Sequence, residues 1–98
     1  MPYAIIARDK PGALDKRMEH RPAHIEYLKS KLDLIMAGGA TTGGPDDSMD
    51  GSVLILDTED RAVAEDFARN DPFALNGVFE AVIVTPWRKT IWDKALQG

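Results

Sequence analysis

The chain has 98 residues and a formal net charge of −4, with 44% hydrophobic and 29% charged residues and no cysteine. That length makes one domain, read as spanning residues 1–98, with a thin core, since a chain this short buries only roughly 60–65% of its unfolded surface. The acidic balance argues against nucleic-acid or anionic-membrane partners, and the missing cysteines exclude disulfides, thiol catalysis, Fe–S clusters and cysteine zinc sites.

Tyr3 to Ala7 reads as a strand, ended by Arg8-Asp9-Lys10-Pro11-Gly12. The chain opens with no basic region ahead of an apolar run, and its apolar runs fall far short of the roughly 20 residues that span a bilayer. The expectation is a cytoplasmic protein with no signal peptide. Leu14 to Glu19 forms one or two helical turns, and Pro22 interrupts because it lacks an N–H. Proline suits the first turn of a helix, so the main first helix is expected from about Pro22 to about Leu32. With His24 at zero and about 100° per residue, Ile25, Leu28 and Leu32 fall at about 100°, 40° and 80° and form a buried stripe, with His24 at its edge.

Leu34 to Ala40 reads as a second strand ending in glycines, and Thr41 to Gly51 as an acidic, glycine-rich loop or lid. Its aspartates fail the spacing of a calcium loop. Val53 to Leu56 is a third strand. Asp57-Thr58-Glu59-Asp60 supplies N-cap chemistry for a second helix that buries Ala64, Phe67 and Ala68, with Val63 beside them. Asn70-Asp71-Pro72-Phe73 ends it. Phe79 to Thr85 is the fourth strand, and the tail with Ile91, Trp92 and Leu96 is expected to be a short docking helix. Trp87 and Trp92 read as core or interface anchors, with a pocket lining as the other reading.

The order β-α-β-β-α-β points to the ferredoxin-like split βαβ fold: an α+β domain with four antiparallel strands and two helices on one face. The other face, built from Tyr3, Ile5, Val53, Ile55, Val82 and Val84 or their alternates, is still apolar. Strands apolar at nearly every position expect cover on both faces. A homodimer stacked sheet on sheet supplies that cover.

No phosphate-binding glycine loop and no G-x-S-x-G elbow is present. The chemistry rests on histidines and carboxylates. His24 is either a general acid/base beside a pocket or a half-buried histidine bonded to a carbonyl. Asp71 either caps a turn beginning at Pro72 or orients His24 and stabilises its imidazolium. Arg17 and Arg21 lie close to His24 and are candidates for holding a substrate carboxylate, against the plain reading of solvated arginines. His20 and His24 have the i, i+4 spacing of a helical metal pair, but Pro22 lies between them and no third ligand is evident, so no metal site is assigned.

Arg21-Pro22-Ala23-His24 with Ile25 and Leu28, Gly38-Gly39, Gly51-Ser52-Val53-Leu54-Ile55, Asn70-Asp71-Pro72-Phe73, Gly77-Val78-Phe79 and Pro86-Trp87 together resemble the YciI-like (YCII-related) family. The resemblance runs from Tyr3 to about Trp87. It implies a dimeric α/β barrel and a histidine and an aspartate as the catalytic pair, matching His24 and Asp71. The arginine of the family's R-P-x-H segment matches Arg21. One branch of the family is similar in fold to muconolactone isomerases and eliminates HCl from a chlorinated hydroxymuconate. The reading is a cofactor-free lyase or isomerase acting on a small organic acid. The alternatives are a non-catalytic dimeric module that binds a small molecule or serves a partner enzyme, and a haem- or metal-dependent relative.

Overall fold

The computed structural model describes all 98 residues. The elements are β1 (Tyr3–Asp9), α1 (Leu14–Ser30), β2 (Ile35–Thr41), β3 (Gly51–Leu56), α2 (Arg61–Asn70), α3 (Pro72–Leu75), β4 (Phe79–Pro86), β5 (Ile91–Trp92) and β6 (Ala95–Leu96). The main sheet runs β2-β3-β1-β4 with every neighbouring pair antiparallel, which is the ferredoxin-like arrangement. Three helices stand where two were expected, because Asp71-Pro72 starts a separate turn after α2. No helix is long and apolar enough to cross a membrane.

The first helix differs most from its sequence reading. It begins at Leu14 and runs through Pro22. Proline removes the N–H that would reach the Met18 carbonyl. Met18 and Pro22 both lie on the exposed side of α1, where water can take that carbonyl. Leu32 falls beyond the helix, in a 3₁₀ turn, and is exposed, so the apolar stripe reduces to half-buried Ile25 and Leu28. The two buried residues of α1 are polar: Arg17 and His24.

The apolar core lies between the sheet and α2. Tyr3 and Ile5 of β1 and Leu54 and Leu56 of β3 pack against Ala64, Phe67 and Ala68. Asp60 starts α2 by accepting the Ala62 N–H, as an N-cap does, while Val63 turns outward. Tyr27 ties α1 to α2 through its hydroxyl, which donates to the Phe67 carbonyl at 2.9 Å.

Strand register assigns the faces. Ile5 pairs with both Leu54 and Val84, and Ala7 with Val82, so Tyr3, Ile5, Val82 and Val84 turn toward the helices. The opposite face carries Ile6 beside Val53 and Ile83, and Ala4 beside Ile55 and Thr85. Its Ile6 row is open, with Ile6 and Ile83 44% and 55% exposed, whereas Ala4 on the same face is buried. The tail is a hairpin and not a helix: Ile91 and Trp92 pair with Leu96 and Ala95 across Asp93-Lys94, both with positive φ, the geometry of a tight type I′ turn.

Candidate active site

A pocket of about 250 Å³ opens between α1 and the β2–β3 half of the sheet. Its size follows from β2. Register turns Gly38 and Ala40 toward α1, opposite Leu54 and Ser52, so that strand fills no space beneath the helix. A Cβ on Gly38 would lie 2.7 Å from the tip of the Leu54 side chain, so any larger residue there would push that leucine aside. Ile25, Leu28, Leu54 and Phe73 give apolar walls, and His24, Arg21, Arg17 and Ser52 supply polar groups.

His24 and Asp71 meet. Nδ1 of His24 lies 2.9 Å from Oδ1 of Asp71, and both residues are buried. The same Oδ1 accepts the Phe73 N–H at 2.9 Å, the N-cap of α3. The capping reading of Asp71 and the histidine-orienting contact therefore rest on one oxygen. An ionised carboxylate only accepts, so Nδ1 is the donor of this bond, and whenever the ring is neutral Nε2 keeps the lone pair. Nε2 has no hydrogen-bond partner in the protein, and His24 is one of the residues that line the pocket. Phe73 lies against the imidazole, with ring centroids 4.0 Å apart and planes at 17°.

Arg17 stands two turns before His24 on the same face of α1. Its Nη1 donates to Oδ1 and Oδ2 of Asp9 at 2.9 and 3.0 Å, and its Nη2 to Ser52 Oγ at 2.8 Å. Nε is the one buried side-chain nitrogen or oxygen without a partner. The guanidinium carbon sits 4.5 Å from the Phe73 ring centroid. Arg17 lines the pocket, but both of its terminal nitrogens are committed to the protein. Arg21, exposed at the pocket rim, has no ion-pair partner. Burial pushes the Asp9 carboxyl above its usual range, the Arg17 charge and hydrogen bonds pull it back, and Asp50 adds to the upward push. Burial likewise raises the Tyr27 hydroxyl, helped by the charges of Asp71 and Asp66.

His20 is half-buried, its Nε2 3.6 Å from Glu19, and does not share the pocket. No group of three or more His, Asp or Glu side chains is gathered where it would hold a metal ion. Asp9, Ser52 and Phe73 went unassigned in the sequence. The period-two row Tyr3, Ile5, Ala7, Asp9 was the available signal for Asp9, because it continues the buried face of β1.

The YCII-related domain model matches residues 1–88. The chain belongs to the YCII-related family. This YCII-related protein is 35% identical to Protein YciI of Escherichia coli, over 91% of its own length and 98% of that protein. It is also similar to the structure of a 5-chloro-2-hydroxyhydroquinone dehydrochlorinase from Burkholderia phenoliruptrix in complex with 2,5-dihydroxybenzoquinone. That match has 39% identity and a TM-score of 0.82, and covers 90% of this chain and 94% of that one. An antibiotic biosynthesis monooxygenase, at 18% identity and a TM-score of 0.51, shares the fold of this YCII-related chain alone.

Proposed function

We propose that the protein is an enzyme in which His24 and Asp71 move a proton on a small organic acid, in an elimination or isomerisation. The observation that carries this reading is the contact of His24 Nδ1 with buried Asp71, which leaves Nε2 without a protein partner on a residue that lines the pocket. Nε2 takes a proton from a carbon beside a carbonyl, or from an acidic hydroxyl. Asp71 stabilises the imidazolium that results. The released electron pair forms a new double bond. In an elimination the leaving group departs with its bonding pair; in an isomerisation His24 returns the proton at another carbon. Arg21 meets the substrate's oxygen anions at the rim, and Arg17 supplies positive charge in the wall behind.

The dehydrochlorinase neighbour supports an elimination. Its substrate by name is a chlorinated, hydroxylated ring, where the sequence resemblance suggested an open-chain chlorinated hydroxymuconate. A pocket of about 250 Å³ suits a single ring. The test is incubation with 5-chloro-2-hydroxyhydroquinone and unchlorinated hydroxylated rings, followed by chloride release and absorbance. Turnover should occur and fall by about 10²–10⁴ in His24→Ala. Turnover that survives in His24→Ala overturns the reading. Tight binding without turnover, equal in both proteins, would favour a binding module.

We infer further that a second copy of the chain covers the open sheet face. Its row of Ile6, Val53 and Ile83 is apolar and exposed, and a two-fold axis, the commonest symmetry of soluble homo-oligomers, would set that row against its copy.

A further inference from the structure

The bond from Nδ1 to Asp71 restrains the His24 χ2 torsion only as tightly as the tolerance of one hydrogen bond in length and angle. The histidine χ2 well is broad, so the ring keeps a residual rocking that carries Nε2 with it. A flat contact on the ring face narrows that rocking. Phe73 lies nearly parallel to the His24 ring, at 17° and 4.0 Å between centroids. We propose that Phe73 is a positioning residue of this site: its flat face sets the plane of the imidazole and so aims Nε2 into the pocket.

This inference rests on the reading of His24 and Asp71 as a proton-transfer pair. Two features make Phe73 fit for the task. Its own N–H is held by the oxygen of Asp71 that holds His24, so edge and face are supported from one rigid turn starting at Pro72. Its ring is fully buried and is itself braced. Phe79 meets it edge-on at 5.9 Å and 73°, and the Arg17 guanidinium lies 4.5 Å from its centroid. Arg17 is fixed in turn by Asp9 of β1 and Ser52 of β3. The aim of His24 is thereby referred to two strands of the sheet. A merely space-filling residue would need volume at this position but no flat face.

The test compares Phe73→Leu and Phe73→Met, which keep apolar volume but lose the flat face, with Phe79→Leu. Phe79 supports Phe73 and makes no ring contact with His24. Histidine ¹⁵N–¹H correlation spectra of the full chain read the His24 tautomer and linewidth. At a pH high enough to leave the ring neutral, the wild type should give one sharp tautomer, protonated at Nδ1. Both Phe73 variants should broaden those resonances and populate the Nε2-protonated form, while Phe79→Leu keeps the wild-type signature. With a turned-over substrate, Phe73→Leu should lower kcat by about 10–100-fold and leave KM nearly unchanged, the mark of misaimed chemistry. A folded Phe73→Leu or Phe73→Met with the wild-type His24 spectrum overturns this inference and leaves the His24–Asp71 reading standing. A wild-type His24 protonated at Nε2 overturns both.

Discussion

One carboxylate oxygen of Asp71 serves His24 and the polypeptide chain together: it lies 2.9 Å from the imidazole Nδ1 and accepts the Phe73 N–H at 2.9 Å. The cap anchors the carboxylate to the start of α3 and removes its freedom to leave the histidine. Structure and chemistry at this position are thus separable by choice of substitution. Asparagine keeps an amide oxygen for the cap and is as good an N-cap as aspartate. Asp71→Asn should therefore melt close to the wild type. It should still lose about 10²–10⁴ in kcat, because no charge remains to stabilise the imidazolium. Asp71→Ala should lose activity and also about 1–2 kcal/mol of stability through the missing cap. Thermal melts and turnover of both variants check this; equal stability of the two would show that the cap contributes nothing.

The Arg17–Asp9 pair should behave as a buried pair and not as a surface one. Its side chains are 3% and 5% exposed. Removing one partner leaves the other charge buried and unpaired, at a cost of about 3–5 kcal/mol. Arg17→Met and Asp9→Leu should each destabilise by that amount in urea titrations. The double variant, apolar on both sides, should lose much less than the sum of the two. Additive losses would mean that the pair is not coupled.

Asp50 gives a pH dependence of definite sign. The Thr41 hydroxyl, first, and the Gly43 N–H hold its carboxyl below the usual value of 3.8, with further help from the Arg8 charge. The bonds are 2.6 and 3.2 Å long and close the loop that carries Met49 on the pocket wall. A carboxylate with a lowered folded pKa contributes stability above its unfolded value. That stability is lost as pH falls through the folded one. Asp50→Asn should leave a shallower decline in stability below about pH 4 than the wild type shows. Urea midpoints measured from about pH 6 down to about pH 3 give the comparison, and parallel curves would remove Asp50 from the account.

Much of this site was legible in the sequence because its parts are local. Asp71 before Pro72 announces a capped turn, and the helical phase of Ile25 and Leu28 puts His24 at the edge of the buried stripe. The order of strands and helices followed from periodicity and turn residues. Pro22 misled the reading of α1, since a proline in an exposed face is tolerated and sequence does not reveal which carbonyls water can reach. Arg17, Asp9 and Ser52 stayed illegible as a cluster because they come from three elements brought together only by the sheet register. Phe73 was read as the end of a helix. Its contact with His24 depends on how α1 and α3 pack, which no local pattern encodes.

The sheet face opposite the helices carries the last prediction. Ile83 pairs with Ile6, which pairs with Val53, giving an exposed apolar row across three strands of this face. Contiguous apolar patches of this kind are uncommon on soluble monomers and mark interaction surfaces. An isologous two-fold contact places each row against its copy, so one substitution acts twice in a dimer. Ile83→Asp puts a charge into that interface, and two copies of it near the symmetry axis. Because Ile83 is 55% exposed in the single chain, the variant protomer has no buried site to lose and should fold. Sedimentation equilibrium should find a dimer for the wild type and a monomer for Ile83→Asp, with matching helical content by circular dichroism. A monomeric wild type would mean that this face meets something other than a second copy.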